Sequence, residues 1–256
     1  FAAGAGGEGT FLLNCTVAYD LIRDATRADG TRVLTEEMER RIVDDLILAG
    51  CEDMEHYADI NNKCGPGRAL SGAVGQLFGR PASVRRAIEG FNRLMDEDFH
   101  FDGFCKESPS YSAMHLDGLQ EIPDIVAGYS DPPDYQPEQG ERITNLDPFE
   151  QMPRYRLALL SMVKMIMPNR RYPVIGDTHY TAGLSANWVE VLVARYGNQY
   201  AALLEAAQGA PLSEKGSEYA LWHRPPDARA EDQAQLPLRT EYFPGWQVAV
   251  LRNGNP

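Results

Sequence analysis

Residues 65–95, GPGRALSGAVGQLFGRPASVRRAIEGFNRLM, decide the fold class. Gly65–Phe78 carries Ala69, Ser71, Gly72, Ala73 and Gly75, small residues that suit a helix packed closely between neighbours. Pro81 then sits in a first helical turn, and Val84, Ile88, Phe91, Leu94 and Met95 follow at the spacing of one apolar helix face. A short joint between two such segments predicts an antiparallel helix pair. The same pattern extends in both directions. Phe11–Arg27 places Leu12, Val17, Leu21 and Ile22 at helical spacing, and Thr35 before Glu36 and Glu37 predicts a capped helix to about Tyr57. Tyr111–Tyr129 reads as helix with a kink or break imposed by Pro123. Further helices are expected at Phe149–Met167, Ala182–Tyr196, Gln199–Gln208 and Ser213–His223.

Two stretches depart from this pattern. Ser130–Asp147 is rich in Pro, Gly and acids and predicts a long irregular connection. Arg224–Leu236 reads as a linker, after which Thr240–Arg252 changes period, with Tyr242, Trp246, Val248, Val250 and Leu251 giving strand character. The chain is therefore expected to be mainly α. It should hold a helical domain over residues 1–224, a linker over 225–239 and the first strand of a further domain over 240–256. Serial helix pairs fit an incomplete (α/α) toroid or an α-solenoid; a helical bundle with an added strand is the plainer architecture.

The chain has 256 residues, with 37 Asp and Glu against 24 Lys and Arg and a net charge of −13. That balance argues against general affinity for nucleic acid or an anionic membrane. No apolar run approaches the roughly 18–20 residues of a membrane helix. The charge is unevenly spread. Thr35–Asp59 holds nine acids and two arginines, and Asp117–Glu150 nine acids and one arginine, whereas Arg154–Arg195 holds six basic residues and two acids. Such runs usually form solvated faces. The sharper expectation is that Arg154, Arg156, Arg170 and Arg171 form a positive wall for an acidic ligand, because the planar guanidinium fork matches a carboxylate. Cys15, Cys51, Cys64 and Cys105 include no CxxC, so buried thiols are expected, with a Cys51–Cys64 disulfide as the alternative. The five histidines form no HxxxH or HExxH, and no metal or cofactor is expected.

Three segments carry chemistry. In Asp59–Gly67, Asn61, Asn62 and Lys63 precede a Gly-rich restart, where amides and a helix N-terminus could hold a carboxylate; ordinary capping is the simpler account. In Phe101–His115, Asp102-Gly103 predicts a tight turn, Ser108-Pro109 a break and Ser110 a helix cap. Tyr111 then lies in a first helical turn, which favours negative charge and so suits a tyrosine that gives up its proton, with His115 at i+4 on the same face. In Tyr172–Tyr180, Gly176-Asp177 and His179-Tyr180 put polar groups at the end of a buried segment.

Taken together, Asp102-Gly103, Glu107–Tyr111, Asn62 ahead of them and Gly176-Asp177 after them resemble the heparinase II/III-like polysaccharide lyases, including oligoalginate lyases. The tail Tyr242–Arg252 looks like the start of that family's antiparallel β-sandwich domain. The resemblance implies an (α/α) toroid followed by β-sheets, secretion or a periplasmic location, and β-elimination on an acidic polysaccharide. By motif position it implies that Tyr111 is the acid/base and that Asn62 neutralises the uronate carboxylate, with Asn61 as its alternate. Relatives draw the site histidine from the β-domain; here His179, with His115 as its alternate, is expected to stand in for it, and Lys63, Glu107, His115, Arg154 and Arg170 are expected to contact substrate. Lys63 stands where some relatives have a histidine. Two other readings remain open: a glycoside hydrolase using Glu107 and Asp177 as paired carboxylates, and an acidic-glycan-binding domain without turnover.

Overall fold

The computed structural model describes residues 6–230 and 239–252. The chain runs through α1 (Gly6–Ile22), α2 (Glu36–Arg40), a π-helical stretch (Arg41–Leu48), α3 (Ala49–Glu55), α4 (Cys64–Leu77), α5 (Pro81–Glu97), α6 (Pro109–Leu119) and α7 (Glu121–Val126). It continues through α8 (Pro148–Gln151), α9 (Pro153–Met165), α10 (Ala186–Tyr196), α11 (Ala201–Gln208), α12 (Glu218–His223), β1 (Glu241–Phe243) and β2 (Val248–Val250). The protein is thus mainly helical with one small sheet. It divides into two units, one of residues 1–97 and 117–151, the other of residues 98–116 and 152–256.

In the first unit α4 is the central element. Ala69, Leu70, Val74 and the small residues Gly65, Ser71, Gly72 and Gly75 are all buried, so nearly its whole circumference faces protein. A Cβ on Gly75 would stand 2.6 Å from the Val84 side chain of α5, which is why the residue there has none. The α4–α5 joint is closed by Gly79 at φ 65°, with Arg80 N–H donating to Gly75 O at 2.8 Å, a left-handed stop that turns the chain back. Pro81 then opens α5, whose Val84, Ala87, Phe91, Leu94 and Met95 are buried. The expected helix pair is present.

Several boundaries differ from expectation for local reasons. The Thr35 hydroxyl does accept from Met38 N–H at 3.2 Å, but the helical run that follows is interrupted by the π-helical stretch. In α1 the buried face is Gly9, Leu12, Leu13, Thr16 and Tyr19, so Val17, Leu21 and Ile22, expected on the face of Leu12, are exposed. Helix α6 stops at Leu119, four residues before Pro123, where the proline ring would meet a helical carbonyl. Pro153 likewise splits the expected Phe149–Met167 helix, and Ser217 caps α12 later than the expected Ser213 start. The Ser130–Asp147 connection is irregular but tied down by Asp131, which accepts from Arg85, from Tyr129 Oη at 3.0 Å and from Ile143 N–H at 2.7 Å.

In the second unit α9 buries Tyr155, Ala158, Leu159 and Met162, α10 buries Trp188, Val189, Leu192 and Val193, and α11 buries Leu203 and Leu204. Arg224 is no linker residue: its guanidinium grips buried Glu190 of α10 at 2.5 and 2.7 Å. Residues 231–238 of the expected linker lie outside the described residues. Where one strand is expected, the tail forms two, paired antiparallel with Glu241 opposite Val250 and Phe243 opposite Val248. The turn is made by Pro244–Gln247, with Gln247 at φ 57°, so Trp246 belongs to the turn and not to a strand. Among the described residues no helix is long and apolar enough to cross a membrane.

Candidate active site

The residues singled out above fall in both units. Asn61, Asn62 and Lys63 lie in the first; Glu107, Tyr111, His115, Arg154, Arg170 and His179 lie in the second.

In the first unit, Asn61 closes a turn ahead of α4. Its Oδ1 accepts from Lys63 N–H at 2.9 Å and its carbonyl from Cys64 N–H at 3.1 Å, while Nδ2 donates to Tyr57 Oη at 2.7 Å. Asn61 is therefore held by its neighbours, and Asn62 and Lys63 are carried at the mouth of the helix, half-buried and exposed respectively.

In the second unit, the Asp102-Gly103 turn forms as expected, with Gly103 at φ 85° and its N–H donating to His100 O at 2.9 Å. Its carboxylate is used structurally: Asp102 accepts from Phe104 N–H at 3.2 Å and from Gly245 N–H of the β-turn at 3.0 Å. Phe104 meets Trp246 edge-on and Phe243 at a tilt, with ring centres 5.3 and 5.5 Å away. The cap of α6 is Ser108, whose hydroxyl accepts from Tyr111 N–H at 3.2 Å, and not Ser110 as expected. Pro109 explains the shift, since its fixed φ and missing N–H suit a first helical position. Ser110 is released for another task. Its hydroxyl accepts from His179 N–H at 2.9 Å, which joins the second and third chemistry-bearing segments across 69 positions. Gly176 makes the same junction: a Cβ there, at φ 53°, would stand 2.6 Å from Glu107 O. His179 Nδ1 is 2.9 Å from Thr181 Oγ1, a contact that orients an exposed ring stacked on Tyr180. Half-buried Tyr111, exposed Glu107, exposed Asp177 and exposed His179 are thus gathered in one locality.

His115 does not join them. It is 2 % exposed, edge-on to Phe99 at 5.5 Å and 3.6 Å from Asp98, and burial pushes it down to about 4. The ion-pair geometry favours a charged ring and burial a neutral one; desolvation dominates, because 3.6 Å is a long contact and the ring nitrogens make no hydrogen bond. Expected to touch substrate, it is a core residue, turned inward by the helix face that also buries Ser112 and Leu116.

The arginines of residues 154–171 are each engaged locally. Arg154 donates to Phe99 O at 3.1 Å, Arg156 lies over the Tyr196 ring at 5.0 Å, Arg170 donates to Ala206 O and Arg171 to Thr181 O. The forks of Arg154, Arg170 and Arg171 close loops with carbonyls of three different segments. All four cysteines are free, so Cys51 and Cys64 are not bridged. Sequence reasoning gave Ser110 a cap's role and missed Thr181, since the roles of both depend on partners brought near by the fold, and it missed Arg68, buried in α4. Comparisons with protein-family models, curated proteins and solved structures return no match.

Proposed function

We propose that the protein is a lyase that cleaves a uronic-acid-containing polysaccharide by β-elimination outside the cytoplasm. The observation that carries the reading is the Ser110–His179 junction, which brings the Glu107–Tyr111 motif of the family resemblance beside the segment that holds its Gly176-Asp177 motif. In this chemistry the C5 proton lies α to the uronate carboxylate. Tyr111, once deprotonated, removes it; the C4–O bond breaks, and the departing oxygen takes a proton from a tyrosine or from His179. Negative charge builds on the carboxylate as the proton leaves and must be met by hydrogen bonds or positive charge, the task that the family resemblance assigns to Asn62. The product carries a C4–C5 double bond conjugated to the carboxylate and absorbs in the ultraviolet.

The test is ultraviolet absorbance on alginate, heparan sulfate and hyaluronan. The reading expects a rising signal that Tyr111→Phe and Asn62→Ala each reduce by at least about 100-fold, the usual size of a lost acid/base or charge-stabilising group. Absence of the chromophore on all three substrates overturns it. Exposed Glu107 and Asp177 also lie at the junction, so reducing-end release without the chromophore, lost in Glu107→Gln, would establish a hydrolase instead.

A further inference from the structure

The first unit contains a second polar cluster, independent of the lyase reading. Helix α3 ends at Glu55, and its last carbonyls need donors. Two arginines from different helices supply them. Arg68 of α4 donates to Tyr57 O at 2.9 Å, and Arg86 of α5 donates to Glu55 O and, at 3.5 Å, to the same Tyr57 O. Two guanidinium groups are therefore drawn together on one carbonyl. Gly90 makes room for this, since a Cβ there would stand 2.6 Å from the Arg68 side chain.

These contacts leave donors over. Arg68 is 5 % exposed, and the buried Nε atoms of both Arg68 and Arg86 have no hydrogen-bond partner. Among the described residues neither guanidinium has an ion pair; the Glu55 carboxylate is turned to Cys51 Sγ at 3.8 Å. Burial, and then the neighbouring Arg86 charge, hold Arg68 below the ordinary guanidinium value. Both causes are penalties that a bound anion would relieve. Beside the two groups is a cavity of about 90 Å³, lined by Arg68, Arg86 and Arg93 with Ala58, Ile60 and Glu89. Arg93 reaches the rim while pairing with Glu97 at 2.9 Å.

We propose that this cavity is a binding site for a tetrahedral oxyanion of the sulfate or phosphate class, held by the forks of Arg68 and Arg86 with Arg93 at the mouth. The size admits one such group. Planar forks with unused N–H donors are what such an oxyanion requires. The group comes either as the free ion or as an ester on a larger molecule that remains outside.

The experiment is calorimetric titration of the full chain with sodium sulfate, at ionic strength held constant with sodium chloride. Parallel titrations use N-acetylglucosamine 6-sulfate and unsulfated N-acetylglucosamine. Saturable sulfate binding is expected, about tenfold or more weaker in Arg86→Met, which loses charge-assisted hydrogen bonds. Arg86→Met also releases a helix carbonyl and can unfold the unit, so Glu89→Gln supplies an opposite test. Removing that carboxylate should tighten sulfate binding about threefold, the scale of one screened charge interaction. Tighter binding of the sulfated sugar than of free sulfate identifies an ester as the ligand; binding of sulfate alone identifies the free ion. No binding beyond chloride, or affinity unchanged in both Arg86→Met and Glu89→Gln, overturns the proposal.

Discussion

Asp131→Asn should loosen the 130–147 connection in a way that depends on pH. The Asp131 side chain is fully buried and accepts from the Arg85 fork, from Tyr129 Oη and from Ile143 N–H. Burial alone pushes its carboxyl up; the hydrogen bonds from Arg85, Ile143 N–H and Tyr129 outweigh it and hold the group at about 2, against 3.8 for a free aspartate. By linkage that depression is worth about 2 kcal/mol at neutral pH. The folded value lies below the unfolded one, so the contribution is complete above about pH 4 and is lost as pH falls through about 2. Asparagine keeps the shape but turns an acceptor into a donor facing Arg85, whose side chain is only 18 % exposed. At pH 7 the substitution should therefore lower stability by about 2–4 kcal/mol, the range for breaking a buried charged pair from one side. Urea unfolding followed by circular dichroism, from pH 7 down to pH 2.5, measures the gap between the two proteins. Amide exchange at Ile143 reports whether the connection itself opens. The gap should narrow steadily below about pH 4, and Ile143 exchange should quicken in the variant at pH 7. A gap of equal size at both ends of the range, or unchanged Ile143 protection, would refute the reasoning.

Thiol reactivity should follow burial. Desolvation pushes Cys51 up to about 12 and Cys105 up to about 11, so neither holds appreciable thiolate at pH 8, and Ellman's reagent on the folded chain should modify half-buried Cys15 before either of them. Gly103→Ala should destabilise the second unit by about 2–4 kcal/mol, because it combines a left-handed backbone with a clash. Gly103 has φ 85° and a Cβ there would enter the Leu157 backbone, so thermal unfolding should shift downward by several degrees, and an unchanged Tm would show that the turn can relax.

What could be read from the sequence is what is encoded locally. Thr35 caps the helix it precedes, Gly79 and Pro81 turn α4 into α5, and Pro123 ends α6 one turn upstream, all within a few residues of the signal. The irregular character of Ser130–Asp147 is also local composition. Its rigidity is not, since Arg85 lies 46 positions from Asp131. The α1 face was misjudged because apolar residues occur around most of that helix, so spacing alone does not say which side is covered; Gly9 and Thr16 on the buried side carry no hydrophobic signal. At the candidate site, Tyr111 and His179 stood out as chemistry-bearing residue types. Their junction through Ser110 was invisible, because a serine beside Ser108-Pro109 reads equally well as a cap.

The treatment of arginine explains why charge runs misled. In a chain with excess acid, carboxylate partners are plentiful, yet many arginines donate to backbone carbonyls. Arg142 reaches Asp131, Pro132, Pro133 and Tyr135; Arg154 reaches Phe99; Arg224 reaches Leu212 and Lys215; Arg252 reaches Lys164 and Ile166. Irregular connections leave carbonyls without helical partners, and a fork with five donors can satisfy several from one side chain. Lysine, with a point charge and no fork, cannot hold the same set. An arginine-rich stretch in this fold is therefore as much a sign of loops to be closed as of a ligand to be received. The discriminating feature is donors left over after the carbonyls are satisfied. Arg154, Arg170 and Arg171 serve the closing role, whereas Arg68 and Arg86 close the end of α3 and still present buried Nε–H groups beside a cavity. By that criterion the anion-receiving arginines belong to α4 and α5, where residues 65–95 set Arg68, Arg80, Arg85, Arg86 and Arg93 against a single acid, Glu89.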